Sequence, residues 1–434
     1  MTRIKLTLCL FALTPLAALA QTPSLAGRWL VSVNYFGTPL YYRLTIEQTG
    51  DKLTANYRGY KFAGTLNGTA FHLLAKDEQN NTDEITGTIA NGAIEATDTE
   101  ADADNKAHPL IVKFTATPAP PIEHPTPQRR EFTPTVFYRQ ISALNKPVLT
   151  INPGDTIHTT TVDAGGKDFN GVNRSLGGNP ETGPFFITGA MPGDVLVIHI
   201  KKLTLNRDWA ISDDGLDERA MSSDLAVKMK DNGKGIRWHL DRAAGTATPE
   251  NPAEHLKHYT IPLKPMLGCI SAAPNLAQAP PGSGDSGGYG GNMDFNHITE
   301  GSTVYLRVSN PGALLYFGDG HAAQGDGELN GNALETSMDV ELTVDVIPNK
   351  RIGDPRVETA TDIITMGLDG SIDDAFKEAT GDMATWLAED YKLTPSEIAQ
   401  VLGTAAEYHV SEVADRNAGV ILKISKGRLA TLTQ

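Results

Sequence analysis

The chain is poor in cysteine, with two in 434 residues, Cys9 and Cys269. Cys9 falls within residues 1–20, MTRIKLTLCLFALTPLAALA. There a basic start (Arg3, Lys5), a short apolar run and Ala18-Leu19-Ala20 predict a secretory signal peptide cut before Gln21, and hence a periplasmic or secreted protein. Cleavage leaves Cys269 as the one thiol, which excludes an intrachain disulfide, so the exported chain must be held by its core or by metal. Long apolar runs are also missing. The leader's own run is shorter than the roughly 20 residues a span needs, so no stable membrane insertion is expected. Positive charge is scarce: 37 Lys and Arg stand against 52 Asp and Glu, a formal net charge of −15. Phosphate affinity rests largely on Lys and Arg contacts, so nucleic acid and anionic membranes are poor partners, whereas a small neutral or cationic ligand fits. Glycine and proline, 42 and 26 residues, fall short of a low-complexity or collagenous chain. The length allows two or three domains and a sizeable core.

What is present divides by composition. Residues 24–115 carry short alternating runs such as Tyr41-Tyr42-Arg43-Leu44-Thr45-Ile46, with Asn67-Gly68 and Asn91-Gly92 between runs, the pattern of hairpins in a small antiparallel barrel or sandwich. This accessory module has no catalytic-looking cluster, and its acidic run from Asp98 to Asp104 is expected to be a solvated loop. Residues 116–131, with Pro118, Pro120, Pro121, Pro125 and Pro127, form a semi-rigid linker. In the remainder, 132–434, Asn152-Pro153-Gly154-Asp155, Met191-Pro192-Gly193-Asp194 and Asn310-Pro311-Gly312 each precede an apolar run, predicting a large β-sandwich of hairpins. After residue 370 the period becomes helical. Ser371 opens an S-x-x-D start, Thr394-Pro395-Ser396-Glu397 is a capping box, and Trp386 belongs to the packing face. The fold class is therefore mainly β with a helical C-terminal part.

Two segments imitate known sites. Gly284-Asp285-Ser286-Gly287-Gly288 spells a serine-protease nucleophile but lacks the Ala-Ala-His-Cys context of that family, and its G-x-G-x-x-G overlap follows Pro280-Pro281 rather than a strand. Cys269 lies in an apolar run and reads as a small buried hydrophobe. The informative stretch is Gly318-Asp319-Gly320-His321-Ala322-Ala323-Gln324-Gly325-Asp326-Gly327-Glu328, in which glycines space acids around an imidazole. Buried carboxylates must be paired, protonated or bound to a cation, and this donor mixture suits Zn²⁺ or a similar ion, while carboxylates alone suit Ca²⁺. Gly290-Gly291-Asn292-Met293-Asp294 approaches as a second acidic segment. Strict alternation in 157–163 puts His158 and Asp163 on opposite faces unless the strand end turns.

Taken in order, Thr160–Gly166, Glu181-Thr182-Gly183-Pro184, Gly290–Asp294, Gly318–Glu328 and Val413–Val420 resemble the acetamidase/formamidase family over about residues 132–425. The resemblance implies a β-rich fold, hydrolysis of short linear amides to carboxylate and ammonia, oligomers, and a divalent metal, Zn²⁺ and/or Ca²⁺. Matched by position, it implies a site of His158, Asp163, Asp294, Asp319, His321 and Glu335. On that basis His158, Asp163, Asp319 and His321 are expected as metal ligands, with Glu328, Glu335 or Asp294 doing acid–base work. Gly290, Gly291, Asn292 and Gln324 are expected beside the substrate oxyanion. The competing expectation is a non-enzymatic exported β-protein that binds a small ligand or partner around a structural Ca²⁺.

Overall fold

A computed structural model describes residues 24–432 except 77–80, 103, 104, 106 and 230–232. The expected leader lies outside the described residues. Strands between Gly27–Tyr35 and Leu110–Pro118 pair in sequence order, and the first closes on the last to give an eight-stranded barrel. Its alternating strands turn Val31, Leu44, Leu73, Ile85 and Ile94 inward around a core of its own. The expectation of a solvated 98–104 loop fails at its start. Asp98 belongs to the strand Ala93–Glu100 and is 2% exposed, and burial together with Asp83 pushes its carboxyl up to about 8.

Beyond the linker two large sheets stack. One contains Val195–Leu205 paired with Met338–Ile347 and Thr303–Arg307. The other is organised on Leu315–His321 paired with Met266–Ala272. Leu196, Ile198 and Val340 of the first meet Ile270, Leu315 and Phe317 of the second in one core. Strand Leu315–His321 is buried at every position, as befits a central strand covered on both faces. The helix Ile372–Asp390 starts at Ser371, which accepts the Asp374 N–H, and Pro395–Ala405 starts with the complete Thr394/Glu397 capping box. Trp386 and Leu387 pack with Ile363 and Leu422. The helix lies so close to the sheet that a Cβ on Gly367 would stand 1.8 Å from the Ala375 carbonyl. A buried bidentate pair, Arg356 to Asp382 at 2.6 and 2.9 Å, ties helix to strand.

The Pro-Gly-Asp turns do more than reverse the chain. Asp155 accepts the Asn152 and Gln128 N–H groups and holds Arg130 at 3.0 Å. Asp194 accepts the Met191 and Asn349 N–H groups and holds Arg43, from the barrel, at 2.5 Å. Glycines at positive φ, Gly154 (92°) and Gly193 (84°), make both turns sterically cheap. Arg43 and Leu276, which reaches the barrel core from the other side, join barrel to sandwich.

Candidate active site and metal centre

The site forms where two sheet strands run past each other without side chains between them. Gly268 sits opposite Asp319, between the register pairs Leu267–Gly320 and Cys269–Gly318. The Gly268 carbonyl also accepts the N–H groups of Met293 and Asp294, which draws a second acidic segment to the same point. A Cβ on Gly268 would meet Asp294 Oδ1 at 2.4 Å and Asp319 Oδ2 at 2.6 Å. Asp294, Asp319 and Glu328 all have left-handed backbones, with φ of 40°, 54° and 44°, a conformation that costs on the order of 1 kcal/mol or more for such residues. The fold accepts that strain three times to aim carboxylates inward.

His321 is the hub. Its Nε2 lies 3.2 Å from Glu335 Oε1, 3.4 Å from Asp319 Oδ2 and 3.8 Å from Asp294 Oδ1. Its Nδ1 is 2.9 Å from Gln324 Oε1. The Gln324 amide donates to the Asp294 carbonyl at 2.5 Å and to the Ser411 carbonyl at 3.2 Å, so its oxygen faces the ring and accepts from Nδ1–H. That fixes the tautomer: in neutral His321 the Nε2 lone pair points at the acids. Asn292 donates to Asp294 Oδ2 at 2.5 Å and to Asp415 Oδ2 at 2.6 Å, and Asn179 donates to Asp319 Oδ2 at 3.2 Å.

Charge accumulates without relief. Among the described residues no lysine or arginine forms an ion pair with Asp294, Asp319, Glu328, Glu335, Glu412 or Asp415. Burial, with mutual repulsion, pushes Asp294 well up, Glu328 to about 7, Glu335 to about 8, Glu412 to about 9 and Asp415 to about 6. Burial alone would lower His321, but Glu335 and Asp319 outweigh it and raise the imidazole. His321 Nε2, Asp294 Oδ1, Asp319 Oδ1, Glu335 Oε2 and Glu412 Oε1 are buried with no hydrogen-bond partner. Ligand atoms of Asp294, His321 and Glu328, of Asp319, His321 and Glu335, and of Asp294, Glu412 and Asp415 fall within 4.8 Å of one another in each trio. Buried donors left open in this way fit a divalent cation, and the imidazole–carboxylate mixture is one such ions take.

The chain is similar to known proteins in sequence and in fold. The sequence model of the Acetamidase/Formamidase family matches residues 281–366, the span holding Asn292, Asp294, Asp319, His321, Glu328 and Glu335. A Schizosaccharomyces pombe protein provisionally named a formamidase is 28% identical over 216 residues, 39% of this chain. The chain spans about half of that relative's length, 52%. The crystal structure of a predicted acetamidase/formamidase from Thermoanaerobacter tengcongensis superposes with a TM-score of 0.61 at 28% identity, covering 70% of this chain and 98% of that one. An acetamidase from Yersinia enterocolitica gives 0.62 at 28% identity, covering 72% and 96%. In sequence and in fold the chain is similar to the acetamidase/formamidase family. The family's solved structures are matched almost end to end, while more than a quarter of this chain lies outside the match.

In the structure, five of the residues singled out from sequence converge: Asp294, Asp319, His321, Glu328 and Glu335. Two expected ligands do not. His158 lies in Thr156–Thr160, its ring 31% exposed, with Nδ1 2.5 Å from Glu131. Asp163 follows that strand, caps its own turn through the Lys167 N–H, and forms a buried ion pair with Arg207 at 2.8 Å. Arg207 also donates to the Glu335 carbonyl, so Asp163 braces the wall of the site through it. Gln324 and Asn292 hold the His321 ring and the acids in place. Gly290 and Gly291 lie in a ladder strand, and added Cβ atoms would come within 2.2 Å of the Ile270 and Asp285 carbonyls, so close backbone packing explains these glycines.

Glu181, Glu412 and Asp415 were not legible as site members. Glu181 is fully buried against Cys269 and Asp319, both oxygens without a partner, and burial followed by Asp319 pushes its carboxyl well up. Cys269 is buried beside it, its thiol pushed up by burial and then by Glu181. The Ser286 hydroxyl is buried, and among the described residues no histidine hydrogen-bonds to it.

Proposed function

We propose that the protein is an exported, metal-dependent amidase that splits the C–N bond of short linear amides of the formamide and acetamide kind into carboxylate and ammonia. The observation that carries this reading is the set of buried, partnerless ligand atoms centred on His321 Nε2. Asp294, Asp319, His321 and Glu335 would hold the ion, either Zn²⁺ or Ca²⁺. Such an ion supplies Lewis acidity that lowers the pKa of water and polarises an amide carbonyl. The chain's own contribution is placement. Gln324 keeps the His321 Nε2 lone pair on the acids, Asn292 and Asn179 steady the carboxylates, and burial keeps bulk water from competing. Glu328, raised by burial to about 7, can take the proton from water at neutral pH and return it to the departing nitrogen.

Purified residues 21–434 should release ammonia from formamide or acetamide, lose the activity on chelation, and regain it with Zn²⁺ or Ca²⁺. Full activity in protein shown by mass spectrometry to be metal-free would sink the metal assignment. Stoichiometric Ca²⁺ with no turnover of any short amide would favour the non-enzymatic reading. Gln324→Ala should weaken cation affinity by about 10- to 100-fold in a competition titration, the usual cost of losing a hydrogen bond behind a ligand. Unchanged affinity would mean that packing alone orients the imidazole.

A further inference from the structure

We infer that the junction between barrel and sandwich is a binding site for a small dianion, one that carries two carboxylates or a phosphate. A cavity of about 250 Å³ lies there, sharing no residue with the carboxyl cluster, and Arg43, Arg58, Arg307, Lys350 and Arg351 converge on it. In a chain with fifteen more acids than bases this is an inversion of local charge. Asp194 is the one carboxylate among the described residues of the lining. Its oxygens already take Arg43 and the Asn349 and Met191 N–H groups.

The ion pairs can be assigned one by one. Arg58 meets Glu100, and Lys350 meets Asp390 at 2.7 Å. Arg307 donates to the Gly353 carbonyl, but neither it nor Arg351 has a carboxylate partner among the described residues. Arg43 is held flat against the Gly193 backbone, where an added Cβ would lie 3.2 Å from its guanidinium carbon. Its side chain is 11% exposed and its Nε is buried without a partner. Burial, and then the neighbouring Arg28 and Arg351 charges, lower its pKa against the pull of Asp194. A fastener between two modules needs one arginine and one aspartate. The remaining cations, two of them without a carboxylate partner among the described residues, instead make a receptor for multiply charged oxygen ligands. The volume admits a small molecule.

The test is calorimetric titration of the purified protein at low ionic strength with inorganic phosphate and, separately, with malonate. Saturable binding of either supports the site, and the stronger probe tells a tetrahedral from a dicarboxylate preference. Arg351→Glu and, separately, Arg307→Gln should each weaken that binding at least about tenfold, the scale of one charged hydrogen bond. Asp319→Asn should leave it unchanged, which separates it from anion capture at the carboxyl cluster. Both arginines are exposed, so melting temperatures should stay near wild type, and either variant that does so is sufficient. Absence of saturable heat with both probes, binding untouched by a folded variant, or binding lost with Asp319→Asn would overturn the inference.

Discussion

Asp319→Asn should leave a folded protein that no longer holds a cation and hydrolyses amides about a thousandfold more slowly in kcat/KM, about 4 kcal/mol of transition-state stabilisation. The side chains are nearly the same shape, but the amide brings no charge, and one end would present N–H donors toward His321 Nε2, 3.4 Å from Asp319 Oδ2. In cation-free protein the same change acts in the opposite direction. Burial raises Glu328 to about 7 and Glu335 to about 8, with Asp319 adding to both. Each folded value lies above the ordinary glutamate value of 4.5, so the folded state holds extra protons. The resulting stability is complete below about pH 4.5 and is lost as pH rises through about 7–8. Removing the Asp319 charge reduces that loss. Chelated Asp319→Asn should therefore show a smaller fall in melting temperature between about pH 5 and about pH 8 than chelated wild type. Metal content, amide turnover and these two melts together distinguish a ligand from a merely structural acid.

Gly268→Ala should damage the site nearly as much without touching a titratable group. The new methyl would press on Asp294 Oδ1 and Asp319 Oδ2, at 2.4 and 2.6 Å, so both carboxylates must turn away or the strands must part. Overpacking of this kind costs about 1–3 kcal/mol in stability. Because it displaces two proposed ligands at once, cation affinity should fall by about 100-fold or more. Gly268 does not have positive φ, so crowding alone is at issue. Gly284→Ala is the control: a Cβ there meets nothing within 4 Å, and stability should stay within about 0.5 kcal/mol. Equal metal affinity in both variants would show that the acids need no cleared floor.

Most of the site that could be read in advance lies within two short stretches, with Glu335 added by the family resemblance. Asp319, His321 and Glu328 stand in a single Gly-spaced run, and Asp294 in another, because a backbone that must bring carboxylates together without side chains between them is written in glycine. Glu412 and Asp415 were beyond reach for the converse reason. Glu412 ends a strand whose pattern is ordinary and Asp415 follows it, and they are carried in by the pairing of Glu407–Glu412 with Ala418–Ser425, the Gly327–Glu412 bridge and the Asn292 amide. Asp163 failed because Arg207, remote in sequence, took its charge. Asp98 failed likewise: alternation within a closed barrel turned it inward. Hairpins, the mainly-β class and both helix starts were legible because each depends on neighbours within a few residues. Partner choice among buried charges depends on distant ones.

The barrel's closure has a further consequence. A sheet with open edges can be grafted onto another only by continuing its ladder, which commits both partners to one register. With its first strand hydrogen-bonded to its last, this barrel offers no such edge, and its attachment reduces to a tether and a few side chains such as Arg43 and Leu276. Such an attachment can be gained or shed in evolution without redrawing a strand of the sandwich.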